Sequence, residues 1–153
     1  MNTPNLKQTG IHDVTFGCGV TVVEPSNLYG CSIGDDSFIG PFVEVQRRAR
    51  IGARTRIQSH SFVCELTEIG DDCFVGHGVM FVNDLLRDGP AYDQPERWVG
   101  ARVGDHVSIG SNATILPVRI CSRAVIGAGA VVTHDIDEPG IYAGVPARKL
   151  REI

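Results

Sequence analysis

The sequence predicts an all-β fold, a parallel β-helix of six-residue repeats, from three observations. First, nine apolar residues stand six apart without a break: Ile33, Ile39, Val45, Ile51, Ile57, Val63, Ile69, Val75 and Phe81. With 42% of the chain hydrophobic, nine such hits in a chosen frame arise by chance about four times in ten thousand. The spacing resumes at Val103, Ile109 and Ile115, then after a one-residue slip at Ile120, Ile126 and Val132. Second, glycine often follows the repeat residue, at Gly34, Gly40, Gly52, Gly70, Gly76, Gly104, Gly110 and Gly127. Third, the residue two before a repeat position is small or β-branched: Ser37, Val43, Ala49, Thr55, Ser61, Thr67, Cys73, Val79, Val107, Ala113, Ala124 and Ala130. A period of six fits neither an α-helix nor a simple hairpin, and a fixed internal period marks a solenoid.

Each hexapeptide reads as a short strand. Residues two apart on a strand share a face, so each repeat sends one large and one small side chain inward. The glycine then permits a turn that a side chain would obstruct. Three repeats of six close a triangular coil of eighteen residues, so residues eighteen apart stack.

Along the chain, residues 1–32 form a less regular first coil or two, punctuated by Gly17, Gly19 and Gly30. Coils run 33–50 and 51–68, and a third begins at Ile69. After Phe81 the register breaks. The stretch from Asn83 to about Arg102 holds Gly89, Pro90, Tyr92, Pro95 and Trp98 and is expected to be an extruded loop (83–102); interruptions of this length in compact domains are usually functional. Two more coils follow. Pro139-Gly140 is expected to end the helix, and the tail from Ile141 to Ile153 to fold back as an extended piece with a short terminal helix. A thin solenoid leaves much surface open, so the chain is expected to bury more of it between copies.

At 153 residues the chain is one domain, 1–153. A formal net charge of −4 argues against a nucleic-acid partner, and no stretch is long and apolar enough to span a membrane. The start, Met1-Asn2-Thr3-Pro4-Asn5, lacks a basic-then-apolar signal. Five cysteines, Cys18, Cys31, Cys64, Cys73 and Cys121, show no C-x-x-C pair, as expected of reduced, mostly packed thiols in a cytoplasmic protein.

Stacking at eighteen aligns the corners. One column reads 40–42, 58–60, 76–78, 110–112 and 127–129. It carries His60 and His77 on adjacent coils, then becomes Gly110-Ser111-Asn112 and Gly127-Ala128-Gly129. Such a ridge of small residues suits a long thin ligand such as pantetheine. A second column reads 46–48, 64–66, 82–84, 116–118 and 133–135, and carries Glu65, Asn83 and Asp84 beside the loop. A site is expected between chains, from the first column of one and the second column plus loop of another.

These residues carry a family resemblance over about residues 20–150. Ile109-Gly-Ser-Asn-Ala-Thr-Ile115-Leu-Pro, Val125-Ile-Gly-Ala-Gly-Ala-Val-Val-Thr133 and Tyr142-Ala-Gly-Val-Pro-Ala-Arg148 resemble the C-terminal halves of left-handed β-helix acyltransferases. Gly40-Pro-Phe-Val-Glu-Val-Gln46, Ser59-His-Ser-Phe-Val-Cys-Glu65 and Gly76-His-Gly-Val-Met-Phe-Val-Asn-Asp84 resemble the N-acetyltransferases of nucleotide-linked 3-amino sugars. The resemblance implies a left-handed coil, against the usual right-handed crossover rule, and a homotrimer. It also implies transfer of acetyl from acetyl-CoA, with no metal, to the amine of a dTDP- or UDP-linked aminodeoxy sugar used in surface glycans or natural products.

Amide formation needs a neutral amine, a positioned thioester and stabilisation of the tetrahedral oxyanion. His60 and His77 are the candidate bases, because imidazole titrates near working pH; direct attack, with the departing thiolate taking the proton, is the alternative. Asn83 is expected to touch the sugar at the reacting amine, and otherwise to form the turn at the loop root. Asp84 and Glu65 are expected to hold the sugar; the competing role for Asp84 is capping the loop. Backbone amides near Gly110, Ser111, Ala128 and Gly129 are expected to bind pantetheine or the oxyanion. Gly144, Arg148 and Lys149 are expected at the end of that groove, where cations meet nucleotide phosphates. The run Arg47, Arg48, Arg50, Arg54 and Arg56 is spread over different corners and strands; one of them can reach a diphosphate.

The rivals are another acceptor (a 4-amino sugar, serine or a xenobiotic hydroxyl), a γ-type zinc carbonic anhydrase and a non-catalytic scaffold. The zinc site needs three histidines, two of them five apart; His12, His60, His77, His106 and His134 include no such pair. The cofactor-type C-terminal motif and the polar loop argue against a scaffold.

Overall fold

A computed structural model describes residues 4–6, 8–86, 89 and 94–153. Met1 to Thr3 and the loop's Pro90 and Tyr92 lie outside the described residues. The chain forms a left-handed parallel β-helix whose short strands stack into three sheets of seven, six and eight strands. Coil 1 consists of Ile11–His12, Thr15–Phe16 and Thr21–Val22. Coils 2 to 4 follow from Asn27–Tyr29 to Phe74–Val75. Coil 5 is split by the loop, with Met80–Phe81 before it and Arg102–Val103 after it. Coil 6 runs from Thr114–Ile115 to Val125–Ile126, and coil 7 from Val131–Val132 to Ile141–Ala143.

Every repeat residue named above is buried, and so is every small residue. The small position has a second task where it is Ser or Thr. Ser37, Thr55 and Ser61 donate to the carbonyls of Gly52, Gly70 and Gly76, each at 2.8 Å. They also accept from the backbone N–H of Thr55, Cys73 and Val79 in the next coil. A buried hydroxyl is tolerated only when its hydrogen bonds are made, and here it ties successive coils together.

The glycines serve differently from the sequence expectation. The left-handed turn falls one or two residues later, on side-chain-bearing residues such as Arg54 (φ 55°), His60 (φ 64°) and Asn112 (φ 59°). The glycines are required because the next coil lies on them. A Cβ on Gly76 would meet the Ser111 nitrogen at 2.7 Å, and one on Gly110 the Ala128 nitrogen at 2.4 Å.

Three boundaries differ from expectation. The irregular first 32 residues are coiled from Ile11, with partners seventeen apart, Phe16 opposite Ile33 and Val22 opposite Ile39; coils one residue short escape a strict period of six. The loop returns two residues early, because Ala101 is already buried and Arg102 pairs with Glu68. Pro139-Gly140 does not end the helix: Ile141 and Tyr142 pair in parallel with Val125 and Ile126. The expected terminal helix is instead a strand, Arg148–Arg151, antiparallel to Ile141–Ala143, which occupies the last free edge of that sheet. Among the described residues no helix is long and apolar enough to cross a membrane. Cys31, Cys64 and Cys73 are buried and Cys18 is exposed; burial pushes the Cys31 and Cys64 thiols up to about 11.

Candidate active site

The predicted stacking of the first column is present. Backbone bonds run His60 N–H to Pro41 O, Gly78 N–H to Ser59 O, Asn112 N–H to His77 O and Gly129 N–H to Ser111 O. This places the two histidines in different rows. His77 stacks in the row of Ser59, Ser111 and Ala128. His60 stacks in the row of Phe42, Gly78 and Asn112.

Their surroundings differ accordingly. His77 is exposed, and its Nδ1 lies 2.9 Å from Ser59 Oγ. Its backbone N–H donates to Ser111 Oγ at 3.2 Å. When Nδ1 carries the proton and donates to Ser59, Nε2 is left with a lone pair on an exposed ring, the arrangement of an oriented general base. Among the described residues the His60 ring has only a tilted contact with the Phe42 ring, centroids 4.8 Å apart, and nothing there fixes its tautomer.

The ridge above His77 carries the donors. At several corners the first turn residue has an N–H that the coil ladder does not use. Side chains take it elsewhere: Asp71 Oδ1 for Ala53, Asp105 Oδ1 for Asp71 and Ser111 Oγ for His77. Above Ser111 stands Ala128, which has no acceptor. Among the described residues, therefore, the N–H groups of Ser111 and Ala128 are unpaired. Those of Gly110 and Gly129 are taken by Ile126 O and Ser111 O, which removes two of the four expected backbone donors.

The second column is internally satisfied. Glu65 is 6% exposed. It accepts from Arg48 Nε at 2.8 Å and from Arg48 Nη2, and its backbone N–H donates to Gln46 Oε1 at 3.2 Å. Asn83 Nδ2 donates to Glu65 O at 3.3 Å, and Asn83 O accepts from Val99 N–H at 3.0 Å, so Asn83 clasps the two ends of the loop. Asp84 Oδ1 accepts from Leu86 N–H at 2.8 Å, a loop cap. Gly100 then returns directly over the corner; a Cβ there would lie 2.0 Å from Leu66 O. One hollow lies on the C-terminal side of the loop root, lined by Asn83, Asp84, Leu85, Leu86, Arg97, Val99 and Pro117.

At the far end, Gly144 O accepts from Val131 N–H beside the ridge. Arg148, exposed, bonds only its neighbour's carbonyl. Lys149 is committed elsewhere: Glu152 at 2.7 Å and Glu138 at 3.1 Å hold its ammonium and raise its pKa well above the ordinary lysine range. Among the described residues no group of three or more His, Cys, Asp or Glu can hold a metal ion.

The two corners lie at opposite edges of one sheet. Five extended residues from His60 to Glu65 span roughly 16 Å, so one chain does not bring the histidines to Asn83. The outward residues explain where another chain fits. The faces flanking the histidine corner carry Phe62, Met80 and Val131 with Glu44 and Thr114 on one side, and Phe38, Phe74 and Val125 with Arg56 and Ser108 on the other; Phe42 is on the edge. Met80, Phe74 and Phe42 are 44%, 43% and 57% exposed. The opposite face presents Arg50, Glu68, Arg102 and Arg119. Sequence reasoning missed this asymmetry; its signal was the residue just before each repeat position.

Residues 30–65 match the model of the bacterial transferase hexapeptide (six repeats), and residues 100–134 that of the hexapeptide repeat of succinyl-transferase. Both models are of hexapeptide-repeat transferases. The bifunctional protein GlmU of Clavibacter sepedonicus is 38% identical over 133 residues, 86% of this chain and 25% of the relative. The chain spans about a quarter to a third of the length of the curated relatives it matches. AntD, an N-acyltransferase from Bacillus cereus solved with dTDP and coenzyme A, shares the fold at a TM-score of 0.78 and 23% identity, over 93% of this chain and 85% of that one. The acetyltransferase VCA0836 of Vibrio cholerae, solved with acetyl-coenzyme A, superposes at 0.66 with 27% identity, over 80% and 70%.

Proposed function

We propose that this chain is an acetyl-CoA-dependent N-acetyltransferase of a nucleotide-linked 3-amino-deoxy sugar, acting as a trimer in the cytoplasm. The observation that carries the reading is the first column: an oriented, exposed His77 beneath the unpaired N–H groups of Ser111 and Ala128. The coenzyme A and dTDP bound by structural relatives support the donor and the nucleotide-linked acceptor.

In this reading pantetheine lies along the ridge, and an N–H of Ser111 or Ala128 meets the thioester oxygen. The sugar amine attacks the carbonyl carbon, and the oxygen becomes an oxyanion held by that N–H. His77 Nε2 takes the proton lost by nitrogen. The C–S bond then breaks, and the CoA thiolate leaves. The neighbouring chain supplies Asn83 and Asp84 from its loop root, because the 16 Å separation, roughly estimated from strand rise, keeps a single chain from doing so. The faces flanking the histidine corner, with their exposed Phe42, Phe74 and Met80, are the surfaces that bring the chains together. Arg148 and Gly144 close the donor end; Glu65 acts by holding the loop root rather than by touching sugar.

The test is thiol release from acetyl-CoA with a panel of dTDP- and UDP-linked 3-amino and 4-amino sugars, serine and chloramphenicol. Turnover on a 3-amino sugar is expected. Silence on every amino sugar with turnover on serine or chloramphenicol overturns the acceptor, and silence on all overturns the transferase reading.

A further inference from the structure

A second hollow lies on the N-terminal side of the loop root, opposite the one that holds Asp84. It measures about 580 Å³, within the range of small-molecule sites. Its floor is the polar corner of coils 2 to 4, and its lid is the returning loop. Tyr29 and Trp98 both line it, with Arg47, Gln46 and Pro95. Two aromatic residues and a cation in one hollow suit a ligand with a flat base and an anionic group.

The neighbouring polar groups are already committed. Glu44 accepts from Asn27 Nδ2 at 3.0 Å and from Gln46 Nε2 at 2.9 Å. Glu65 is taken by Arg48. Arg47 is the exception: its side chain is 65% exposed, and its nearest carboxylate, Glu65, is 3.9 Å away, beyond hydrogen-bond reach. Apart from this long ion pair its guanidinium makes no hydrogen bond among the described residues, which leaves its donors open to a forked contact with phosphate oxygens.

We infer that this hollow binds a nucleoside 5′-diphosphate group, with Arg47 on the phosphates and the base against Tyr29 and Trp98. The inference rests on the nucleotide-linked acceptor proposed above. Two sources of that chemistry exist in the reaction, the acceptor's nucleotide and the adenosine phosphates of coenzyme A. The hollow takes the acceptor's. It opens at coils 2 to 4 and shares Glu65 with Asn83 through the 3.3 Å bond, whereas the unpaired donors of the ridge lie on coils 5 to 7, at Ser111 and Ala128.

Trp98 is the sole tryptophan, so its fluorescence reports on the hollow directly. Titration of the full chain with dTDP and UDP is expected to change Trp98 emission saturably, and adenosine 3′,5′-bisphosphate to leave it unchanged. Arg47→Ala and Tyr29→Leu are expected to weaken the nucleoside diphosphate at least tenfold, with circular dichroism and melting as for the parent. A response to the adenosine bisphosphate alone, no response to any of the three, or unchanged affinity in both folded variants overturns the inference. The two readings fail separately. Arg47-dependent dTDP or UDP binding without acetylation of any amino sugar leaves the hollow standing and removes the reaction. Acetylation with an unchanged KM in Arg47→Ala does the reverse.

Discussion

The histidine corner and the loop corner are built from the same hexapeptide, yet they are used in opposite ways. At the loop corner most of the named polar groups, Arg47 apart, hold coil to coil. Glu65 meets Arg48, Asn83 meets the Glu65 carbonyl, and Gln46 bridges Glu44 and the Glu65 N–H. At the histidine corner the polar groups thin out toward the C-terminal coils. His77 is exposed with one ring nitrogen on Ser59, and Ser111 and Ala128 keep their N–H groups unpaired. A corner that satisfies itself makes a rigid platform from which a loop can be extruded. A corner that does not leaves donors for a ligand. The contrast comes from what stands one coil above: Ser111 caps His77, but an alanine cannot cap Ser111.

That contrast can be broken most severely at His77. His77→Asn is expected to lower kcat by about 10²-fold with little change in KM, measured by thiol release, whereas His60→Asn, whose ring is held only by Phe42, is expected to cost far less. Equal losses at both positions would erase the distinction between their rows. At the loop corner the larger effect is on stability. Gly100→Ala sets a Cβ against the Leu66 carbonyl and is expected to cost about 2 kcal/mol or more, read from urea unfolding; a change below half of that, on the order of 1 kcal/mol, means the loop re-seats freely.

Glu65→Gln weakens the Arg48 contact and is expected to cost about 1–2 kcal/mol in the same measurement, with parent-like KM for acetyl-CoA. Ser111→Ala removes the acceptor for the His77 N–H and is expected to cost roughly 0.5–1 kcal/mol, with a larger proportional loss in rate than in stability. The smallest effect belongs to the third corner. Arg54, hydrogen-bonded to Asp72, holds that carboxyl below its usual range. A depressed native pKa gives stability that is present above the unfolded value of about 3.9 and lost as pH falls through the native one. The melting temperature is expected to drop on acidification below about pH 4, and Arg54→Ala to flatten that drop.

The repeat was legible because burial is written into alternate residues: Ile39, Ile57 and Val75 are inward wherever they stand in the chain. The corner columns were legible for the same reason, since eighteen residues return the chain to one edge. Three things were not. Coils 1 and 2 step by seventeen, so Phe16 and Val22 fell out of frame. The roles of Glu65 and Asn83 in closing the loop depend on partners seventeen and eighteen residues away and on a return at Val99 that no local signal marks. The availability of an N–H depends on the neighbouring coils: backbone carbonyls take those of Gly110 and Gly129, and no side chain takes those of Ser111 and Ala128 among the described residues.

The sequence by itself determined the β-helix, its interruption after Phe81 and the edges on which His60, His77, Asn83 and Asp84 stand, because periodic burial is a property of each hexapeptide alone. Only the tertiary structure decided which of those groups are free. His77 is oriented and His60 is not; Lys149 is bound by Glu138 and Glu152 while Arg148 is open; Arg47 is held only by a 3.9 Å ion pair where Arg48 is hydrogen-bonded. Whether a polar group is free depends on the atoms within about 3 Å of it. In a solenoid most of those atoms come from the next coil, or from a strand folded back at its end.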